Sequence, residues 1–166
     1  MRAFRVLAFL LTATLVAACS TTITTRQGLE PEASGHFRFE AIEATSALGS
    51  VTSDDLALLK KAVADRVAKL PRGTRAAKVD LTVTEMDIVS EGTRFLVGAL
   101  AGNSRMTVVV KVIDESGKTV ADFDVQRTTN PGGYGMFFDQ KAATIDAVAD
   151  GVADILGGRN AERKEK

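Results

Sequence analysis

Only a few side chains in this sequence have the type and spacing that chemistry needs. Asp122 and Asp124 stand two apart in "VADFDVQ". On a strand they would share one face about 7 Å apart, near the separation of the paired carboxylates that hydrolyse glycosides. Alternating acids on a wet strand face are ordinarily just solvated, and Asp80, Glu85 and Asp87 are explained in the same way. His36 is the single histidine, and one imidazole without cysteine partners makes no zinc set. Serines and threonines abound, yet no base is placed beside one, so a hydrolase triad lacks its second member. Cys19 is the single cysteine, hence the single thiol nucleophile. The expectation is a non-enzymatic protein with no catalytic residue, no metal and no cofactor.

Two glycine-rich segments invite other chemistry. "RFLVGALAGNSR", residues 94 to 105, is not a phosphate loop, because neither Gly98 nor Gly102 is followed by Gly-Lys-Ser/Thr. Its Gly98-to-Gly102 spacing matches the small-residue pattern of membrane helix dimers, but the apolar run is far below the roughly 20 residues that span a bilayer. Phe95, Leu96, Val97 and Leu100 must nonetheless be covered, either by the protein's own sheet or by a partner or lipid surface. "NPGGYGMFFDQ", residues 130 to 140, holds the only tyrosine, Tyr134, beside Phe137 and Phe138. Aromatic rings supply contact area at low entropy cost, so this loop either binds a peptide, glycan or lipid, or packs the start of a helix onto the core. These seven residues form the expected interaction surface.

The amino-terminal end accounts for Cys19. Arg2 and Arg5 precede an apolar run through Leu15 and Val16, and Ala17 and Ala18 close it. A basic start, a short apolar middle and small residues at the end make a secretory signal peptide over residues 1–18. The run Leu15-Val16-Ala17-Ala18-Cys19 resembles the bacterial lipobox. The resemblance implies a thioether-linked diacylglycerol on Cys19, cleavage just before it, and acylation of the new amine. The thiol is the side chain nucleophilic enough for that bond, and two or more acyl chains anchor a protein stably. Ser20, not aspartate, follows the cysteine; by resemblance to enterobacterial lipoproteins this implies export to the outer membrane, with the domain facing the periplasm.

Charge adds little. The 166 residues carry 21 basic and 21 acidic side chains, and losing the signal peptide leaves 19 against 21. Nothing points to nucleic acid. With Cys19 lipidated no disulfide is possible, so the domain must fold on its core alone, which is feasible at about 130 residues.

The elements that position these groups follow from periodicity. Residues 19–35, lipidated cysteine and the threonine-rich "STTITTRQGLEPEASG", are expected to be a flexible tether, reaching on the order of 50 Å at ~3.3 Å per residue. The domain is expected over 36–158, with a charged tail at 159–166. "HFRFEAIEA" alternates as a strand with Phe37, Phe39 and Ala41 on one side. Thr52 or Ser53 can cap a helix whose Leu56, Leu59, Val63, Val67 and Leu70 step by three and four until Pro71. "AAKVDLTVTEMDIVSEG" alternates through Val79, Leu81 and Val83 and then changes phase to Met86 and Ile88, as a bulge near Glu85 would cause. "RMTVVVKVIDESGKTVADFDVQRTT" reads as a hairpin turning at Asp114 to Gly117. A last helix from about Phe137 to Leu156 presents Ile145, Val148, Val152 and Ile155. The expected fold is α+β, β-α-β-β-β-α: a four-stranded, mostly antiparallel sheet with two helices on one face.

The cysteine, the connection and strand "VGALAGNSRMTVVVKVID", and the loop and helix "GGYGMFFDQKAATIDAVADGVADIL" together resemble an uncharacterised family of bacterial envelope lipoproteins. The resemblance covers about the last half of the chain and implies a small α+β domain with no established activity. The function expected is a lipid-anchored periplasmic module that binds or scaffolds another envelope component, protein or glycan. The alternative is a carrier of a small ligand or lipid in envelope transport.

Overall fold

The computed structural model describes residues 19–29, 34–89, 103–129 and 139–159. Its strands are β1 (Cys19–Gln27), β2 (Phe37–Ser46), β3 (Arg75–Asp87), β4 (Ser104–Asp114) and β5 (Thr119–Thr129), with helices α1 (Ser53–Val67) and α2 (Gln140–Leu156). The class is α+β with two helices, as expected, but the sheet has five strands in the order β1-β5-β4-β3-β2. The fifth is β1, which occupies most of the segment read as a tether. It pairs antiparallel with β5 from Cys19 opposite Thr129 to Gln27 opposite Asp122. Threonine and isoleucine are β-branched and favour extended backbone, but Ile23 alone is apolar there, so the segment shows no hydrophobic alternation.

The sheet is mixed. The β3–β4, β4–β5 and β1–β5 pairs are antiparallel, whereas β2 runs parallel to β3. Parallel neighbours need a crossover of a dozen or more residues, and α1 is that crossover. Thr52 caps it: its hydroxyl accepts from the Asp55 N–H at 3.2 Å, and the Asp55 carboxylate accepts from the Thr52 N–H at 3.0 Å. In α2 the Asp139 carboxylate accepts from the Ala142 N–H at 3.0 Å.

Alternation sorts the strand residues. Val79, Leu81 and Val83 of β3, Met106, Val108, Val110 and Val112 of β4, and Ala121, Phe123 and Val125 of β5 are almost fully buried beneath the helices. Leu59 and Val63 of α1 and Ile145, Val148, Val152 and Leu156 of α2 close over them. One-residue irregularities keep the phase. The register slips between Val83 and Glu85, where the phase change in the sequence places a bulge, and returns Met86 to the core side opposite Met106. A second slip, between Phe39 and Ala41, has no counterpart in the sequence expectation. It turns Ala41 outward, and Ile42 and Ala44 continue the face that Phe37 and Phe39 begin. Lys78, Asp80, Lys111, Asp122 and Asp124 fall on the opposite face, which no described element covers.

Candidate functional site

At the edge of the sheet β2 has no outer neighbour among the described strands, and beside it α1 leaves an open groove of about 560 Å³. Its apolar lining comes from Phe39 and Ile42 of β2, Ala64 and Val67 of α1, and Leu70 and Pro71 beyond it. Three cations, Arg38, Lys60 and Arg72, also line it. Arg38 is committed to Glu40, with Nε 2.8 Å from Oε1. Lys60 and Arg72 are exposed and have no acidic partner among the described residues. The floor is braced from below. The Phe37 and Phe39 ring centroids are 6.4 Å apart, and the Arg75 guanidinium lies 4.9 Å from the Phe37 centroid. Helix length and strand phase put these groups together; in the sequence they are scattered from 38 to 72, and no motif announces them.

The groove and Cys19 lie at opposite ends of the sheet. Cys19, Thr129, Ser104 and Asp87 belong to successive rungs at one end, with Cys19 opposite Thr129, Thr129 opposite Ser104 and Asp87 opposite Arg105. Phe37 opposite Arg75, and the turn after Asp114, mark the other.

A family profile described as "Domain of unknown function (DUF4410)" matches residues 43–133, more than half of the chain. The chain belongs to the DUF4410 family. The match covers α1, strands β3 to β5 and only the last four residues of β2, so it includes part of the groove and none of β1. No curated protein matches the sequence. Among solved structures, the DUF4410 chain is similar in fold to a point-substituted PelC dodecamer from Paraburkholderia phytofirmans, at 16% identity and TM-score 0.50, covering 87% of this chain and 100% of that one. A second PelC dodecamer structure from the same organism aligns at 13% identity and TM-score 0.49, with the same coverage. A candidate lipoprotein from Caulobacter crescentus CB15 aligns at 22% identity and TM-score 0.41, covering 76% of this chain and 92% of that one.

Of the carboxylates singled out in the sequence, Asp80, Glu85, Asp122 and Asp124 are engaged structurally. A register slip between Thr25 and Gln27 makes Arg26 the extra residue of β1. Its guanidinium reaches both acids, with Nε 2.8 Å from Asp122 Oδ1 and NH1 2.6 Å from Asp124 Oδ2, and NH2 also bonds both. These bonds hold the Arg26 cation still more firmly protonated than usual. A cation shared between the two acids leaves neither free as a general acid or nucleophile. Glu85 accepts from the Thr107 hydroxyl at 2.9 Å and from Arg105 at 3.3 Å. Lys78 lies 3.0 Å from Asp80. Among the described residues no three His, Cys, Asp or Glu side chains gather as a metal set, and no described helix is long and apolar enough to cross a membrane.

The other sequence expectations divide by position. Phe95, Leu96, Val97, Leu100, Tyr134, Phe137 and Phe138 lie outside the described residues, as does the segment expected to be a signal peptide. His36 is in a short 3-10 turn before β2, where its backbone crosses close to Gly73. Cys19 is the first residue of β1.

Proposed function

We propose that this DUF4410 protein is a non-enzymatic, lipid-anchored lipoprotein of the bacterial cell envelope, acylated on Cys19, and that its domain binds another envelope component in the periplasm. The lipobox-like run supports the anchor, and Ser20 after the cysteine supports the outer membrane as its destination. The observation that carries the binding role is the groove beside β2. An edge strand with unpaired backbone groups can accept an added strand. The apolar floor beside it takes alternate side chains, and the free charges of Lys60 and Arg72 select acids. The partner that fits is an extended protein segment in which apolar and acidic residues alternate.

A photo-reactive side chain at position 60 or 72, introduced in the full-length protein in cells, tests this reading. Crosslinking to one specific envelope protein from these positions, and not from Glu115 at the hairpin turn, is the expected result. Equal labelling from all three positions, or none from position 60 or 72, would count against it.

A second reading is self-assembly. The fold resembles that of a dodecamer, and β1 and β2 have no outer neighbour among the described strands, so copies of the chain could join at either edge. Light scattering of the purified protein distinguishes an assembly from a monomer.

A further inference from the structure

The structure fixes something that a tether would leave open. If residues 19–35 were flexible, a linker of that length would let the domain wander over about 22 Å r.m.s. from its anchor. Instead β1 starts at Cys19 itself and is paired with β5 along its length. Ile23 packs against the core, and Thr21 and Ile23 lie under Gly151 of α2. No spacer separates the residue that would carry the acyl chains from the folded sheet. Slack could be gained only by peeling β1 from β5 and exposing Ile23.

We infer that the end of the sheet containing Cys19 rests directly on the bilayer that holds the acyl chains, so that the groove beside β2 points away from it. The inference rests on the lipid-anchor reading and adds an orientation to it. Cys19, Thr129, Ser104 and Asp87 lie at the membrane end. The Asp114–Lys118 turn and the mouth of the groove near Phe37 lie farther out by the length of β4, on the order of 35 Å for eleven residues. The proposed binding role agrees with this orientation. A partner segment approaching from the periplasm meets the free edge of β2 without having to pass between the domain and the lipid.

The test uses the full-length lipidated protein reconstituted in phosphatidylcholine vesicles. A thioether on Cys19 leaves no native thiol, so Asp87→Cys and Glu115→Cys each offer one site for a fluorophore. With a nitroxide on the lipid headgroups, the label at 87 should be quenched several-fold more than the label at 115. Inserting a flexible Gly/Ser segment of about 20 residues after Cys19, worth ~25 Å of r.m.s. reach, should abolish the difference. Mass spectrometry of the amino-terminal peptide is read in parallel. Acyl mass on Cys19 with equal quenching at both sites would overturn the orientation while leaving the anchor intact. Absence of acyl mass would overturn the anchor, and the orientation with it.

Discussion

Lys141 Nζ lies 2.9 Å from Asp55 Oδ1, joining the first turn of α2 to the first turn of α1. Asp55 is one of few buried charged residues among those described, and it also closes the capping box with Thr52. Asp55→Ala removes both contacts and leaves the Thr52 N–H without its acceptor. A loss of about 1–2 kcal/mol is expected from a cap of this kind, read as a lower urea midpoint. Lys141→Met should cost less, because that side chain is 43% exposed.

The same carboxylate sets part of the acid sensitivity. Burial pushes the Asp55 carboxyl up, but Lys141 and the Thr52 backbone N–H outweigh it and hold the group below the usual carboxylate range. Asp114 is held low first by the Ser116 hydroxyl, against its burial, with help from the Lys118 and Ser116 N–H groups and Arg75. Both groups therefore bind protons more weakly in the folded state than in the unfolded one. Their contribution is complete above the unfolded value of about 3.9 and is lost as pH falls through the lower folded values. Urea midpoints should be flat from neutral pH to about pH 5 and fall below about pH 4, and Asp55→Asn should flatten part of that fall.

Gly151 is where α2 touches the last two strands of the sheet. A Cβ there would sit 2.8 Å from Val125 Cγ1 and 3.4 Å from Thr21 Cγ2. Val125 is fully buried and stiff at χ1, so it cannot move aside cheaply. Overpacking of about 1–3 kcal/mol outweighs the gain in helix propensity, which for valine in place of glycine is less than about 1 kcal/mol. Gly151→Val should lower the thermal midpoint and speed amide exchange in β1 more than in β3.

Gly73 has no room at all. A side chain there would overlap the His36 carbonyl and the Phe37 nitrogen, and it would pry apart the bond from the Gly73 N–H to the Phe37 carbonyl at 3.0 Å. Gly73→Ala should cost on the order of 3 kcal/mol, visible as poor yield of folded protein or a large drop in midpoint.

Arg26 offers the contrast. Its side chain is 46% exposed, and exposed ion pairs contribute only about 0–1 kcal/mol. Arg26→Ala should therefore shift the midpoint little in high salt. At low salt it should cost somewhat more, because Asp122 and Asp124 are left facing each other without their shared cation.

The legible parts of this fold were those with strong period. Leu59, Val63 and Val67 on α1, Ile145, Val148 and Val152 on α2, and the phase change after Val83 each reported their burial directly. β1 was hidden because it packs a single half-buried apolar residue, Ile23, against the core and so shows no alternation. The turn of Ala41 away from the core was hidden because the slip before it lies in a short strand whose alternation looked regular. The parallel pairing of β2 with β3 leaves no local trace, since it is settled by α1 lying across the sheet. The groove was illegible for a related reason: it exists because nothing described pairs with the outer side of β2, and Lys60 and Arg72 gain meaning only when α1 is laid beside that edge.

β1 finds its partner about a hundred residues later in the chain, at Thr129 and before. Ribosomes make the chain from its amino end, so its first strand must wait until nearly all of the rest has been made. Until β5 has formed the opening segment has no strand to pair with, so its closure is the longest-range pairing of the described sheet. A chain stalled before that step would show an open edge along β5, which any quality-control chaperone recognising extended backbone would find first.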